Sequence, residues 1–300
     1  MLKHRLLMGP LLILGVLALA WGDELLDGIE ASGAVAGPDG TLPPGLLFFV
    51  AAAIISVLAA RELAVILRSK GVHVSRRVMA IAAIGGLILT ATTPAHKDGL
   101  YGLAVVNTAA GVALFGSLAY SSRNRSLEGA VAAAGGTLLA FVYLGLMFGL
   151  VLAIQRDHSA WMLIWALLTI KSCDIGAFFT GRAIGRHKMI AWLSPGKTWE
   201  GFAGGVLLAA LVGAAGLALL APQVGPELRP AGGLLAGGAL AGALFGAAGQ
   251  VGDLVASMFK RDAGLKDSGR LVPGMGGVLD VIDSAVFVAP LAFWWFRLAS

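Results

Sequence analysis

The feature that most constrains this chain is a succession of apolar runs, each about 20 residues long, separated by short stretches that hold most of the charge. A helix of that length crosses the roughly 30 Å hydrocarbon layer while bonding its own backbone amides, as lipid demands. Membrane-spanning strands would instead show segments of about ten residues alternating apolar and polar, and no such alternation runs through the sequence. With 58% of its residues apolar and 13% charged, the chain is not built for water as its main solvent. The pattern predicts an all-α fold, a polytopic membrane helical bundle of about nine transmembrane helices, at approximately 6–21, 44–60, 78–93, 102–120, 129–154, 160–180, 201–221, 232–252 and 278–298. The first run also fits a signal peptide, since Lys3 and Arg5 precede an apolar core ending in Ala18-Leu19-Ala20.

The formal charge of +5 lies in short loops between the runs, a distribution that suits a membrane surface and argues against nucleic acid as a partner. Alternate loops divide it unequally. One side holds Arg61, Arg68, Lys70, Arg76, Arg77 and most of the remaining Lys and Arg; the other holds Lys97, Arg156, Arg229 and Arg297. Basic loops stay cytoplasmic, so the N-terminus is expected in the cytoplasm and the C-terminus outside, in a bacterial inner (cell) membrane. The 22–43 loop, with Asp23, Glu24, Asp27, Glu30 and Asp39, then falls on the outer side. Glycines at four-residue spacing, Gly201/Gly205 and Gly238/Gly242/Gly246, let helices approach closely where van der Waals packing replaces the hydrophobic drive. The lone Cys173 excludes an internal disulfide.

Ionisable groups inside a span cost about 2.5–3.5 kcal/mol on insertion scales, so each one is a functional hypothesis. Four places qualify: Lys171 with Asp174; the loop Ser194-Pro195-Gly196-Lys197-Thr198-Trp199-Glu200-Gly201; Asp253; and Asp280 with Asp283. Three residues apart on a helix, Asp280 and Asp283 share a face. Their repulsion is relieved by a bound cation, and hard oxygen ligands that keep waters suit Mg²⁺. The plainer alternative is that Asp280 complements the helix dipole while Asp283 faces a wet cleft. Asp253 continues the stripe of Gly246 and Gly249 and so points toward neighbouring helices, with Ser257, Lys260 and Arg261 beyond it; Lys260 alone fits a side chain that snorkels to the interface. The cationic stretch from Lys260 to Arg270 leads through Pro273-Gly274-Met275-Gly276-Gly277 into a helix. That is a plausible phosphate cradle, although polybasic loops more often hold anionic head groups.

The run from Ser257 to Asp283 resembles the C-terminal signature of the phosphatidate cytidylyltransferase (CDP-diacylglycerol synthase) family: Ser257, Lys260, Arg261, Lys266, Asp267, Gly269, Pro273, Gly276, Gly277, Asp280 and Asp283 stand at its positions. The block Asp174-Ile175-Gly176-Ala177, Gly181-Arg182, Gly185-Arg186 and Ser194 to Gly201 is similar to that family's as well. Three positions depart: Met275 stands where the family usually has His, Val281 where it has Arg, and Phe178 where it has Tyr. Met275 cannot transfer a proton, and Val281 removes one cation.

The resemblance implies Mg²⁺-dependent nucleotidyl transfer: phosphatidic acid attacks CTP, and CDP-diacylglycerol and pyrophosphate leave at the cytoplasmic face. Asp253, Asp280 and Asp283 would converge on Mg²⁺, with room for a second metal ion, and Asp267 and Lys266 complete the catalytic set. Lys260 and Arg261 would neutralise phosphate. Ser194, Lys197 and Thr198 would hold phosphate or nucleotide, Glu200 would cap or orient their loop, and Asp174 would join the polar cavity. Ser257, Gly276 and Gly277 would contact substrate. The partners implied are CTP, phosphatidic acid and membrane lipid, and a homodimer is compatible with them. The whole chain, 1–300, then reads as a single integral membrane domain, with 1–155 mainly scaffold helices and 156–300 the catalytic helices and cytoplasmic loops. Two enzyme alternatives share this chemistry, a CTP-dependent lipid-alcohol kinase and a cytidylyltransferase for another lipid phosphate. A transporter is the alternative from a different class.

Overall fold

The computed structural model describes residues 2–26, 29, 42–93, 99–123, 128–224 and 228–300. Among these residues the chain forms nine helical rods: α1 (Leu2–Leu26), α2 (Leu46–Ser69), α3 (Arg76–Thr92), α4 (Gly99–Ser122), α5 (Ala130–Asp157), α6 (Ala160–Ile184), α7 (Trp199–Val224), α8 (Gly233–Asp262) and α9 (Val278–Ala299). The described residues contain no sheet, only two isolated bridges, Lys188 with Thr198 and Val272 with Gly276. Among the described residues, seven rods, α2 and α4 to α9, are long and apolar enough to cross a membrane, and the chain is an integral membrane protein with a helical bundle fold.

Local chemistry starts several of these rods. Ser75, Ser159 and Thr198 place a side-chain oxygen on the free amides of Val78, Met162 and Gly201, opening α3, α6 and α7. Packing then depends on small residues. A methyl group at Gly213 of α7 would lie 2.9 Å from the Cα of Gly242 in α8, and one at Gly205 would lie 2.6 Å from the Cys173 carbonyl in α6, so these three helices pack backbone to backbone. Gly86 of α3 and Gly145 of α5 meet in the same way, each 2.8 Å from where the other's Cβ would reach the Cα.

That crossing lies in a π-helical segment of α5, Ala140–Met147. Its wider turn breaks the usual i→i−4 ladder, and the Ser56 hydroxyl of α2 donates to the Leu144 carbonyl at 2.8 Å. Two apolar cores result, one shared by α1, α2, α3, α5, α6 and α9, the other by α5, α6, α7, α8 and α9 around Trp165, Phe245 and Phe296. Helices α5, α6 and α9 belong to both.

Three boundaries differ from the sequence expectation in ways that matter. Helix α8 runs about ten residues further, to Asp262, so Asp253 sits well inside it and Ser257, Lys260 and Arg261 are helical. Helix α2 continues to Ser69 and takes Glu62 into the packed interior. Helix α1 runs to Leu26, so Asp23 is not a loop residue; it is buried and accepts from the Leu47 amide at 3.0 Å and the Gln155 side chain at 2.9 Å. Asp27, Glu30, Asp39, Lys97 and Arg125, used in the topology argument, lie outside the described residues, as do the side chains of Lys3 and Arg5.

Candidate active site

The ends of α2, α6 and α8 and the starts of α7 and α9 meet at one end of the bundle. The Arg261 guanidinium donates to the Leu193 carbonyl of the α6–α7 loop at 3.4 Å, and Lys70 after α2 pairs with Asp262 at 3.4 Å. Two polar clusters lie at this end.

The first is a chain of charges drawn from four elements. Lys171 and Asp174, one turn apart on α6, pair at 3.4 Å. The Gln250 side chain of α8 donates to the other Asp174 oxygen at 2.8 Å. Lys197, from the α6–α7 loop, reaches in to pair with Asp253 at 2.6 Å and donates to the Gln250 carbonyl at 3.2 Å. Asp283, buried in the second turn of α9, accepts at Oδ1 from the amide and hydroxyl of Ser284 at 2.5 and 3.0 Å. It lies in electrostatic range of Asp253 and Lys171. Helices α8 and α9 touch here, since a methyl at Gly252 would sit 3.0 Å from the Asp283 carbonyl. Tyr143, from the π segment of α5, brings its hydroxyl within electrostatic range of both carboxylates. Asp253 keeps 36% of its side chain exposed and Asp174 keeps 38%, so the cluster remains accessible.

The second cluster is closed. Asp280 pairs with Lys260 at 2.6 Å, both nearly buried, and its other oxygen accepts from the Ser268 amide at 2.8 Å, the Ser268 hydroxyl at 3.0 Å and the Gly277 amide at 2.9 Å. Glu62 of α2 completes the set, accepting from the Ser268 hydroxyl and the Val278 and Leu279 amides, each at 2.9 Å. The opening amides of α9 are thus already held by the chain's own carboxylates.

The three acids expected to share one ion are therefore split. Asp253 and Asp283 belong to the first cluster and Asp280 to the second, and among the described residues no three His, Cys, Asp or Glu side chains gather as a metal set. Asp280 instead pairs with a lysine on the facing helix and accepts from three donors. At the expected amide cradle, Gly276 donates to the Val272 carbonyl at 3.1 Å and Gly277 to Asp280 at 2.9 Å. Gly276 is there for its backbone, at φ +101°, which a side chain would strain.

Around the α6–α7 loop, Glu200 accepts from the amides of Arg186 and His187 at 3.1 and 3.2 Å and bonds the His187 ring at 2.5 Å. Thr198 is buried, and its hydroxyl caps α7. The Ser194 amide donates to the Ile190 carbonyl at 2.9 Å and its carbonyl accepts from Lys197 at 3.2 Å, closing a turn that presents the lysine. Ser257 is half-buried one turn past Asp253, while Arg261 is exposed in the last turn of α8 and Lys266 and Asp267 are exposed in the loop that follows.

Three participants escape the sequence reading. Glu62 follows Arg61 at what reads as the end of a span, and only the longer helix makes it a buried acid. Gln250 carries no charge to flag it, and Tyr143 looks like one more aromatic in an apolar run.

The sequence pattern of the cytidylyltransferase family matches residues 40–299. A phosphatidate cytidylyltransferase from Bacillus subtilis is 38% identical over 169 residues, 55% of this chain and 59% of that protein. One from Staphylococcus saprophyticus is 38% identical over 154 residues, 51% and 55% of the two chains. An uncharacterized Escherichia coli protein, YnbB, is 40% identical over 161 residues, 47% and 49%. The chain thus spans about half the length of the curated relatives it matches.

Proposed function

Because the chain belongs to the cytidylyltransferase family, we propose that it transfers the cytidylyl group of CTP to phosphatidic acid at the cytoplasmic membrane face, yielding CDP-diacylglycerol and pyrophosphate. In this reaction a phosphatidate oxygen forms a bond to the α-phosphorus of CTP while the bridging bond to the β-phosphate breaks in line with it. A phosphate monoester is already anionic near neutral pH, so no strong base is needed. The task is to hold two polyanions together.

The observation that carries this reading is the gathering of Asp253, Asp283, Lys197 and Lys171 in one accessible cluster. Two like-charged carboxylates in electrostatic range fit a hard divalent cation that takes its remaining ligands from water and phosphate. Asp253 and Asp283 would hold Mg²⁺. When bound, the ion supplies charge neutralisation on the triphosphate. Lys197 and Lys171 balance the incoming phosphates, and Lys266 and Arg261 steer anions from the surface. Glu200 and Thr198 fix the loop that carries Lys197, while Asp280, Lys260 and Glu62 fix the start of the helix that carries Asp283.

Label placement tests the proposal. Purified protein with CTP, phosphatidic acid and Mg²⁺ is expected to move α-³²P into the lipid and to release γ-³²P as pyrophosphate. Entry of γ-label into a lipid would instead make it a kinase, and absence of both products would leave only a transport role to consider.

A further inference from the structure

We propose that the Tyr143 hydroxyl contacts substrate, donating a hydrogen bond to a phosphate oxygen brought to the Asp253–Asp283 pair; this rests on the phosphate chemistry proposed above. Tyr143 is 5% exposed, with its ring set edge-on to Phe259 at a centroid distance of 6.1 Å. Among the described residues its hydroxyl is the one buried side-chain polar atom without a hydrogen-bond partner. Burying an unpaired hydroxyl is unfavourable, and a phenylalanine would make the same ring contacts without that penalty.

The surroundings indicate what the group is for. The hydroxyl lies in electrostatic range of Asp283 and Asp253, yet Asp253 is engaged by Lys197 and Asp283 by Ser284. Its backbone is the π segment Ala140–Met147, held by the bond from Ser56 to the Leu144 carbonyl and by the Gly86–Gly145 contact. Such segments are rare and are found frequently at functional sites, where the extra residue per turn changes which side chain faces inward. A phenol donates without adding charge. That suits a phosphate oxygen already neutralised by Lys197, and the same donor would serve the triphosphate of CTP or the phosphate of a lipid.

The test compares full-length wild type with Tyr143→Phe in detergent, measuring CDP-lipid formation and the shift in unfolding temperature produced by Mg²⁺–CTP alone and by phosphatidic acid alone. The variant is expected to unfold within about 2 °C of wild type, to lose roughly ten- to hundredfold in kcat/KM, and to show a reduced shift with one ligand. Whichever ligand loses its shift is the source of the phosphate. Wild-type turnover and both shifts intact in the variant would overturn the inference, as would a large fall in unfolding temperature, which would mean that the hydroxyl bonds to protein. Shifts that depend on Tyr143 in a protein making no CDP-lipid would support the contact and refute the proposed reaction. Wild type unresponsive to both ligands would overturn the contact.

Discussion

Asp283→Asn is expected to abolish Mg²⁺-dependent transfer, by about a hundredfold or more, while leaving the protein folded. The side chain is buried beside Asp253, whose like charge it faces. Asparagine keeps its shape and still accepts from Ser284 through its carbonyl oxygen. What disappears is the negative charge that would hold a divalent ion, and such an ion stabilises transition-state charge by several kcal/mol, each 1.4 kcal/mol being about tenfold in rate. Thermal unfolding should change little or rise, because a buried charge and its repulsion are removed. Asp280→Asn, three residues earlier, should behave in the opposite sense. It breaks a buried pair with Lys260 and should lower stability by about 3–5 kcal/mol. Radiolabel transfer and unfolding temperature, measured on both variants, distinguish the two roles. An active Asp283→Asn protein would remove that residue from the metal site.

The second large effect concerns a residue in the half of the chain expected to be scaffold. Glu62→Leu fills similar volume but strands two donors, the Val278 and Leu279 amides, while the Ser268 hydroxyl keeps its bond to Asp280. At about 1–3 kcal/mol for each unsatisfied buried group, the cost is on the order of 3 kcal/mol or more. Chemical unfolding in mixed micelles should show it. Activity should fall as well, since these bonds hold the turn of α9 that positions Asp283. Glu62→Gln keeps at best two of the three bonds that Glu62 accepts, so it should fall between wild type and Glu62→Leu in both measurements. Full stability in Glu62→Leu would mean that these amides find water, and that the start of α9 is not clamped by α2.

The division between 1–155 and 156–300 therefore changes in kind. Helix α2 supplies Glu62 and Ser56, and α5 supplies Tyr143, so the first half contributes the walls and one clamp of the candidate site. These contributions were hard to see because none sits in a recognisable spacing. Glu62 is separated from its partners at Ser268, Val278 and Leu279 by more than 200 positions, and local pattern carries no information across such a gap. Lys171, Asp174, Asp253 and Asp283 were legible for the opposite reason, since a charge inside an apolar run is conspicuous wherever its partners lie.

Sequence alone determined the helical membrane bundle, its nine rods among the described residues, and the family signature, because the bilayer imposes length and apolarity on each span independently of its neighbours. Only tertiary structure decided which acid lies beside which partner. Asp280 and Asp283 look equivalent in a three-residue spacing, yet one is drawn into a closed network with Lys260 and Glu62 and the other is left beside Asp253. Charge pairing in a low-dielectric interior depends on which helix happens to face which, and that is a property of packing.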